Sequence, residues 1–192
     1  KNGENEAKNA GILLNKSNIQ INLAYVSYLK RAVKTHKICL KQLKKDKLEV
    51  LYSWRLNERH YGNLQGLNKA QTARKYGEEQ VLIWRRSYDT RPPSLDEEDK
   101  RHPKYDILYK DIDSDKLPTS ESLKDTLERV KPLWENKIIP QIKNGKNILI
   151  VAHGNSLRAI VKILKKITNK DIINLNIPTG VPYIFEMDKD LD

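Results

Sequence analysis

Residues 147–158 read NILIVAHGNSLR, and this stretch decides the fold. Residues 147–152 are predicted to form a strand, because Asn147 is followed by an unbroken apolar run at 148–152 that is rich in β-branched residues and typical of a strand buried on both faces. Gly154 permits a tight turn, and the apolar residues at positions 157, 160, 161 and 164 have helical spacing. The sequence therefore predicts a buried strand that turns directly into a helix, as in α/β proteins.

The same alternation of strands and helices runs through the rest of the 192 residues. Strands are predicted at residues 21–26, 48–52 and 181–187, and helices at residues 4–14, 29–43, 69–76, around 81–85, 123–142, 157–164 and 171–175. Thr119-Ser120-Glu121 is predicted to cap the helix at 123–142, and Pro132 and Pro140 to bend or interrupt it. Residues 89–117 form an irregular insertion rather than a second domain. We expect a single domain over residues 1–192, with a three-layer α/β/α fold and a largely parallel central sheet.

Composition narrows the class of protein only broadly. The formal net charge is +11, which favours anionic partners such as nucleic acid, acidic lipid or phosphorylated metabolites. No apolar run is long enough to cross a bilayer. The single cysteine, Cys39, excludes an internal disulfide framework and fits a reducing compartment. Its place in a helical pattern favours a buried structural thiol over a reactive one.

The turn after residue 152 is the first candidate site. Ligands of parallel sheets bind beyond the carboxyl ends of the strands, and this turn lies at such an end. Free amide groups at the start of the following helix would face an anion, and His153 could donate a hydrogen bond to a phosphoryl oxygen. The alternative is an ordinary strand-to-helix turn, capped by Asn155 or Ser156, with an incidental histidine.

Arginines supply the second signal, because guanidinium groups bind phosphate and carboxylate bidentately. A metabolite with both groups needs several fixed cations, and the candidates are Arg31, Arg59, Lys69, Arg85 and Arg86. For Arg85 and Arg86 alone, a salt-bridged surface is the alternative. Among these cations Glu58 is either a counterion for Arg55 or Arg59, or a general acid and base that moves a proton at a substrate hydroxyl. Tyr61 either hydrogen-bonds the ligand or packs under the loop.

Five motifs together resemble one known family. They are LNERHYG at 56–62, LQGLNK at 64–69, WRR at 84–86, AHGNSLR at 152–158 and NIPTG at 176–180. The segment at 27–32, SYLKRA, also fits. These motifs are similar to those of the 2,3-bisphosphoglycerate-dependent phosphoglycerate mutases of the histidine phosphatase superfamily. The resemblance covers essentially the whole chain.

The resemblance implies a phosphoglycerate mutase-like fold and the interconversion of 3-phosphoglycerate and 2-phosphoglycerate. The reaction would pass through a phosphohistidine primed by 2,3-bisphosphoglycerate. Glu58 matches the family's proton donor and acceptor, and His153 the second active-site histidine. The implied substrate-binding residues are Arg31, Glu58, Arg59, His60, Tyr61, Lys69, Arg85, Arg86, Gly154 and Asn155. Metal-ligand spacing and nucleotide-binding glycine motifs are missing from the sequence, so we expect no metal and no nucleotide cofactor.

One departure from the family pattern bears on the chemistry. The nucleophilic histidine of the family lies in an Arg-His-Gly motif, and this sequence contains no such motif. We therefore expect the nucleophile upstream of Lys1, a domain that is incomplete at both ends, and no activity for these residues alone. The resemblance also leads us to expect a cytoplasmic, homodimeric enzyme with small phosphoglycerate ligands and no nucleic-acid or membrane partner.

Two alternatives stay open at this point. The same fold and pocket serve phosphatases and bisphosphoglycerate mutases, which differ in how water and ligand are oriented. A protein of another class, a basic nucleic-acid-binding module, would use the net charge of +11. Against it, the arginines cluster in loops around Glu58 rather than along one helix.

Overall fold

The computed structural model describes residues 2–45 and 47–188, and of Lys69 only the backbone. The strands are β1 (Leu23–Ser27), β2 (Glu49–Ser53) and β3 (Ile148–Val151). The helices are α1 (Asn2–Lys16), α2 (Lys30–Leu43), α3 (Lys69–Tyr76), α4 (Glu78–Arg86), α5 (Leu123–Leu133), α6 (Ile139–Lys143) and α7 (Gly154–Leu164). None of the helices in this part of the chain is long and apolar enough to span a membrane.

The three strands form a parallel sheet in the order β2-β1-β3. β1 is central and buried along its whole length, because it has a neighbour on each side. Ser27 pairs with Ser53, and Val26 pairs with Val151, so all three strands end at the same edge of the sheet. The predicted parallel sheet and its first three strands are confirmed, and the strand ends shift by only one or two residues.

Helices cover both faces of the sheet, as the predicted layers require. Leu23 and Tyr25 of β1 belong to one core cluster, with Val130 of α5 and Ile160 of α7. Ala24 and Val26 point to the other face, where Ala32 of α2 covers them. Period-two alternation in β1 thus feeds two separate cores, which fixes the register of the strand.

The α1 helix packs closely on α2. A side chain at Gly11 would place its Cβ 2.8 Å from Cβ of Gln42, so only glycine permits this approach. Cys39 lies in the same interface, where its Sγ donates a hydrogen bond to the carbonyl of Ala7 at 3.1 Å. Burial raises the pKa of Cys39 to about 11, so the thiol stays protonated and unreactive at neutral pH. The predicted structural role of this cysteine is confirmed.

The predicted strand at 181–187 is wrong. Residues 181–188 have no regular secondary structure and pair with no strand of the described chain. Val181 and Ile184 are about half exposed, whereas Met187 packs against the cluster between α5 and α7. An apolar alternation specifies a strand only when another strand offers backbone partners.

The predicted cap of α5 is also displaced. Ser122, not Thr119-Ser120-Glu121, is the N-cap, and it forms a reciprocal capping box with Asp125. Ser120 instead donates a hydrogen bond to the carbonyl of Pro92 at 2.7 Å. The predicted interruption at the prolines is confirmed, because a π-helical turn (Trp134–Ile138) separates α5 from α6.

The insertion at 89–117 contains only short 3₁₀ turns (Pro103–Tyr105, Ile107–Tyr109 and Ser114–Lys116). It is nevertheless anchored, since Tyr109 and Leu117 pack on Trp54 just after β2. This contact places the insertion beside the loop that carries Glu58. A cavity of about 610 Å³ opens there and is lined in part by Glu58, His60 and Arg101.

Candidate active site

The carboxyl edge of the sheet brings the two predicted catalytic residues, Glu58 and His153, together with Ser27, which was not predicted to belong to the site. Ser27 ends β1, His153 lies two residues beyond β3, and Glu58 lies in the loop after β2. A parallel sheet delivers all three to one edge because its strands all end on the same side.

His153 is buried at the centre of this edge, with 6% of its surface exposed. Its Nε2 lies 3.0 Å from Oγ of Ser27, and its backbone amide donates to Oγ of Ser156 at 3.1 Å. Burial lowers the pKa of His153 to about 4, and the positive charge of Arg31 adds to the shift while Glu58 opposes it. His153 is therefore neutral at physiological pH.

The carboxylate of Glu58 lies at the amino terminus of α7. Its Oε1 accepts the backbone amide of Asn155 at 3.2 Å and that of Arg59 at 2.8 Å. Its Oε2 lies 3.9 Å from the position that a Cβ on Gly154 would take. The predicted anion at the amino terminus of this helix is thus a carboxylate of the protein itself. Glu58 makes no ion pair with Arg55 or Arg59 in the described residues, so the counterion interpretation gains no support.

A directed chain of hydrogen bonds runs through Asn155. Arg158 donates from Nη1 to Oδ1 of Asn155 at 3.1 Å and from Nη2 to the carbonyl of Ile172 at 2.7 Å. Because a guanidinium only donates, the amide of Asn155 must present its nitrogen to the hydroxyl of Tyr61, at 3.1 Å. The phenolic oxygen accepts this bond, which leaves the proton of Tyr61 free to be donated to a ligand.

Positive charge accumulates around this chain. The guanidinium of Arg59 is buried and lies 4.6 Å above the ring of Tyr61. Burial, together with the charges of Arg59 and Arg86, lowers the pKa of Arg158. Arg59 also donates from Nη2 to the carbonyl of Arg85 at 3.5 Å, which ties the loop to the end of α4.

Three further arginines of the predicted site, Arg31, Arg85 and Arg86, are exposed. Within residues 2–45 and 47–188, none of the three forms an ion pair with a carboxylate. A salt-bridged surface therefore does not account for the Arg85-Arg86 pair. The positive charges of these three arginines are therefore available to an anionic ligand, which would neutralise them.

Comparisons with known proteins agree with this geometry. A model of the histidine phosphatase superfamily (branch 1) matches residues 1–102 and 94–191. A 2,3-bisphosphoglycerate-dependent phosphoglycerate mutase of Parabacteroides distasonis is 56% identical over 189 residues, which are 98% of this chain and 76% of that protein. The chain belongs to the phosphoglycerate mutase family of histidine phosphatases. A relative from Bacteroides thetaiotaomicron, named 2,3-bisphosphoglycerate-dependent phosphoglycerate mutase 2, is 55% identical over 99% of this chain and 77% of its own length.

Solved structures of histidine phosphatases share the fold. A mycobacterial glucosyl-3-phosphoglycerate phosphatase superposes with a TM-score of 0.66 at 22% identity, covering 92% of this chain and 73% of that protein. An alpha-ribazole phosphatase from Shigella flexneri superposes with a TM-score of 0.58 at 18% identity, over 92% of this chain and 72% of that protein. The expected three-layer architecture is therefore that of the family.

For two residues that the mutase motifs place in the site, a contact with the ligand stays a prediction. His60 is buried, and its Nδ1 accepts the backbone amide of Gly62 at 3.1 Å. Burial lowers its pKa, and the residue lines the same cavity as Glu58. The side chain of Lys69 lies outside the described residues.

Sequence reasoning also missed several polar residues that build this mutase site. Arg129 and Glu121 form a buried ion pair, with Nε 2.6 Å from Oε1. Ser27 and Asn57 contact each other at 2.8 Å beside His153. Arg158 belongs to the quoted motif at 152–158, but only its contact with Asn155 shows that it orients the amide of that residue. In the described part of the chain, no group of three or more His, Cys, Asp or Glu residues could hold a metal ion.

Proposed function

We propose that this protein interconverts 3-phosphoglycerate and 2-phosphoglycerate through a phosphohistidine intermediate that 2,3-bisphosphoglycerate primes. The observation that carries the proposal is the convergence of Glu58, His153 and a cluster of arginines at one edge of the sheet. The relatives that share more than half of its residues are named for this reaction.

In this proposal Glu58 is the general acid and base. Its carboxylate is partly exposed, and the amides of Arg59 and Asn155 hold it in a fixed orientation. It takes a proton from one substrate hydroxyl as that oxygen attacks phosphorus, and returns a proton to the oxygen that leaves the phosphoryl group. Positioned proton transfer of this kind contributes about 10²–10⁴-fold to a rate.

His153 and the arginines stabilise the transferring phosphoryl group. A phosphate ester carries roughly −1.5 to −2 charges, and positioning with charge neutralisation supplies most of the catalysis of phosphoryl transfer. Arg59 and Arg158 are buried cations without a carboxylate partner in the described chain, an arrangement that an anionic ligand relieves. We propose that Arg31, Arg85, Arg86 and Lys69 complete the phosphate and carboxylate contacts. Because these groups neutralise the ligand themselves, the reaction is proposed to need no metal and no nucleotide.

The nucleophile is proposed to be a histidine encoded outside these 192 residues. The sequence has no Arg-His-Gly motif, and the chain covers 76% of the length of its Parabacteroides relative. His153 does not take this role, because its motif matches the other histidine of the family. Expression with the preceding codons should produce an acid-labile phosphoenzyme when 2,3-bisphosphoglycerate is added, and the 192 residues alone should not.

The central test is Glu58→Gln in the whole protein as encoded. We expect 2,3-bisphosphoglycerate to bind with nearly unchanged affinity by calorimetry, because the amide preserves size and neighbours. Mutase turnover in an enolase-coupled assay should fall by about 10²–10⁴-fold. Glu79→Gln is the matched control, since Glu79 is exposed on α4 and should leave both quantities unchanged. Retained turnover in the Glu58 variant would remove that residue from the role.

An assay of inorganic phosphate, run beside the enolase-coupled assay, separates the neighbouring activities. If phosphate release from 2,3-bisphosphoglycerate outpaced isomerisation, the protein would be a phosphatase of this family instead. We further propose a cytoplasmic homodimer that binds no nucleic acid. Light scattering after gel filtration tests the dimer, and salt-dependent retardation of DNA or RNA that phosphoglycerates leave unchanged would contradict the last point.

A further inference from the structure

We propose that Ser27 and Asn57 are positioning residues that hold the ring of His153 with a proton on Nε2. The inference rests on the proposed function, because it assigns these two residues a part in phosphoryl transfer. Neither of them touches the ligand in this scheme, and both act through His153.

The direction of each hydrogen bond follows from two backbone amides. The amide of Tyr28 lies 3.1 Å from Oδ1 of Asn57, and a backbone N–H can only donate. The oxygen of the Asn57 side chain, not its nitrogen, therefore faces Tyr28 and Ser27. Since Oγ of Ser27 lies 2.8 Å from the same Oδ1, the serine must donate its only proton to Asn57.

The remaining contacts of the serine oxygen are then acceptor contacts. The amide of Leu29 donates to Oγ of Ser27 at 3.1 Å. The contact between Oγ of Ser27 and Nε2 of His153, at 3.0 Å, requires a hydrogen, and Ser27 has none left to give. The hydrogen must belong to His153, so Nε2 is protonated in the neutral ring as well as in the imidazolium.

Water cannot replace these partners, because the chain is buried from end to end. Ser27 is 0% exposed, His153 6% and Asn57 9%. The far end is also fixed, because Nδ2 of Asn57 donates to the hydroxyl of Tyr109 at 2.8 Å. A continuous path of hydrogen bonds thus connects the insertion at 89–117 to His153.

The fixed proton has a direct chemical use. A neutral imidazole presents a donor at one ring nitrogen and a lone pair at the other, and a lone pair would repel a phosphoryl oxygen. A ring that already carries its proton on Nε2 can donate that N–H to Oγ of Ser27 and to a phosphoryl oxygen in one bifurcated hydrogen bond, without a change of tautomer. Preset donors of this kind stabilise a transition state without reorganisation.

The experiment combines nitrogen NMR of ¹⁵N-histidine-labelled whole protein with steady-state kinetics. Above its pKa, wild-type His153 should give the two-bond correlation pattern of the Nε2–H tautomer. In Ser27→Ala the pattern should become that of exchanging tautomers. Turnover should fall about 10-fold, the equivalent of one hydrogen bond of about 1.4 kcal/mol, with little change in KM.

Thr126→Val is the matched control. It removes a buried hydroxyl that donates to the carbonyl of Ser122 at 3.0 Å and takes no part in the chain from Asn57 to His153. In this control variant, the tautomer of His153 and the turnover should stay close to those of the wild type. A purely structural effect of losing a buried hydrogen bond would instead lower the turnover of both variants by a similar factor.

Two results would overturn the inference: a proton on Nδ1 in wild-type His153, or unchanged turnover in a folded Ser27→Ala variant. The wild-type spectrum decides the position of the proton even if that variant fails to fold. If the wild-type protein showed no mutase activity, the proposed function would fail, whereas the tautomer measurement would still decide the arrangement of Ser27, Asn57 and His153.

Discussion

The buried ion pair between Glu121 and Arg129 offers the sharpest test of what holds the active-site loop. Nε and Nη2 of Arg129 lie 2.6 Å and 3.0 Å from the two carboxylate oxygens of Glu121. The same guanidinium donates to the carbonyls of Trp54 and Arg55 at 3.1 Å and 2.7 Å, and to that of Asn57 at 3.2 Å. These hydrogen bonds connect α5 to the backbone immediately before Glu58.

The other partner holds the following residues of the loop. Oε2 of Glu121 accepts the backbone amide of His60 at 2.9 Å, and the amide of Glu121 donates to the carbonyl of His60 at 2.8 Å. The side chains of Glu121 and Arg129 are 3% and 6% exposed. Each polar group therefore depends on its protein partners, because water does not reach it.

We predict that Arg129→Met lowers the free energy of unfolding by about 4 kcal/mol. Removing one partner of a buried pair typically costs about 3–5 kcal/mol, because the other charge stays buried without compensation. In a domain of about 150–250 residues, each kcal/mol shifts the melting temperature by roughly 2–4 °C, so a fall of about 8–16 °C is expected. Turnover should also fall at temperatures where the variant is folded, because the loop that carries Glu58 loses the hydrogen bonds from Arg129 that hold it in position.

Urea unfolding of the whole protein, followed by circular dichroism, measures the effect. Lys131→Met is the matched control on the same helix, since Lys131 and Glu135 are half exposed and 3.9 Å apart. That change should stay within about 0.5 kcal/mol of the wild type. The double variant Glu121→Met with Arg129→Met should be more stable than Arg129→Met alone, because no charge is left buried without a partner. A loss below about 1 kcal/mol in Arg129→Met would refute the reasoning.

Two further predictions follow from the charges around the site and the cap of α5. Arg85→Ala should weaken phosphoglycerate binding about 10–100-fold by calorimetry, since a charge-assisted hydrogen bond contributes about 1.5–3 kcal/mol. Arg74→Ala on neighbouring α3 is the control and should leave the affinity unchanged. Equal affinities of the Arg85→Ala variant and the wild type would contradict a ligand contact for Arg85. Burial acts to raise the pKa of Asp125, but hydrogen bonds from Arg91 and Ser122 outweigh it and lower the pKa to about 2. The resulting stability is present above the unfolded pKa near 4 and is lost as the pH falls toward 2, so Asp125→Asn should cost about 1–2 kcal/mol at neutral pH and almost nothing near pH 2. Urea unfolding at both pH values measures this, and a pH-independent cost would contradict it.

The order of strands and helices could be predicted because it is recorded locally. β1 and β3 are short apolar runs, α7 has its apolar residues at helical spacing, and each of these signals lies within a few neighbouring residues. The failure at 181–187 has the complementary cause. Whether that alternating stretch becomes a strand depends on a backbone partner elsewhere, and periodicity carries no information about such a partner.

The same reasoning explains which site residues were accessible to prediction. Glu58, His153 and the arginines stand in motifs whose residue types already suggest phosphate chemistry, and the parallel sheet brings their loops together. Ser27 and Asn57 also stand in the quoted segments at 27–32 and 56–62, but their residue types carry no such signal, because a serine at the end of a strand and an asparagine after a turn are ordinary boundary residues. Their role arises only from the approach of Ser27 to His153, 126 positions away, and that approach depends on the pairing of β1 with β3. Polar residues that position catalytic groups are thus defined by register and burial, so they become visible only once the sheet is assembled.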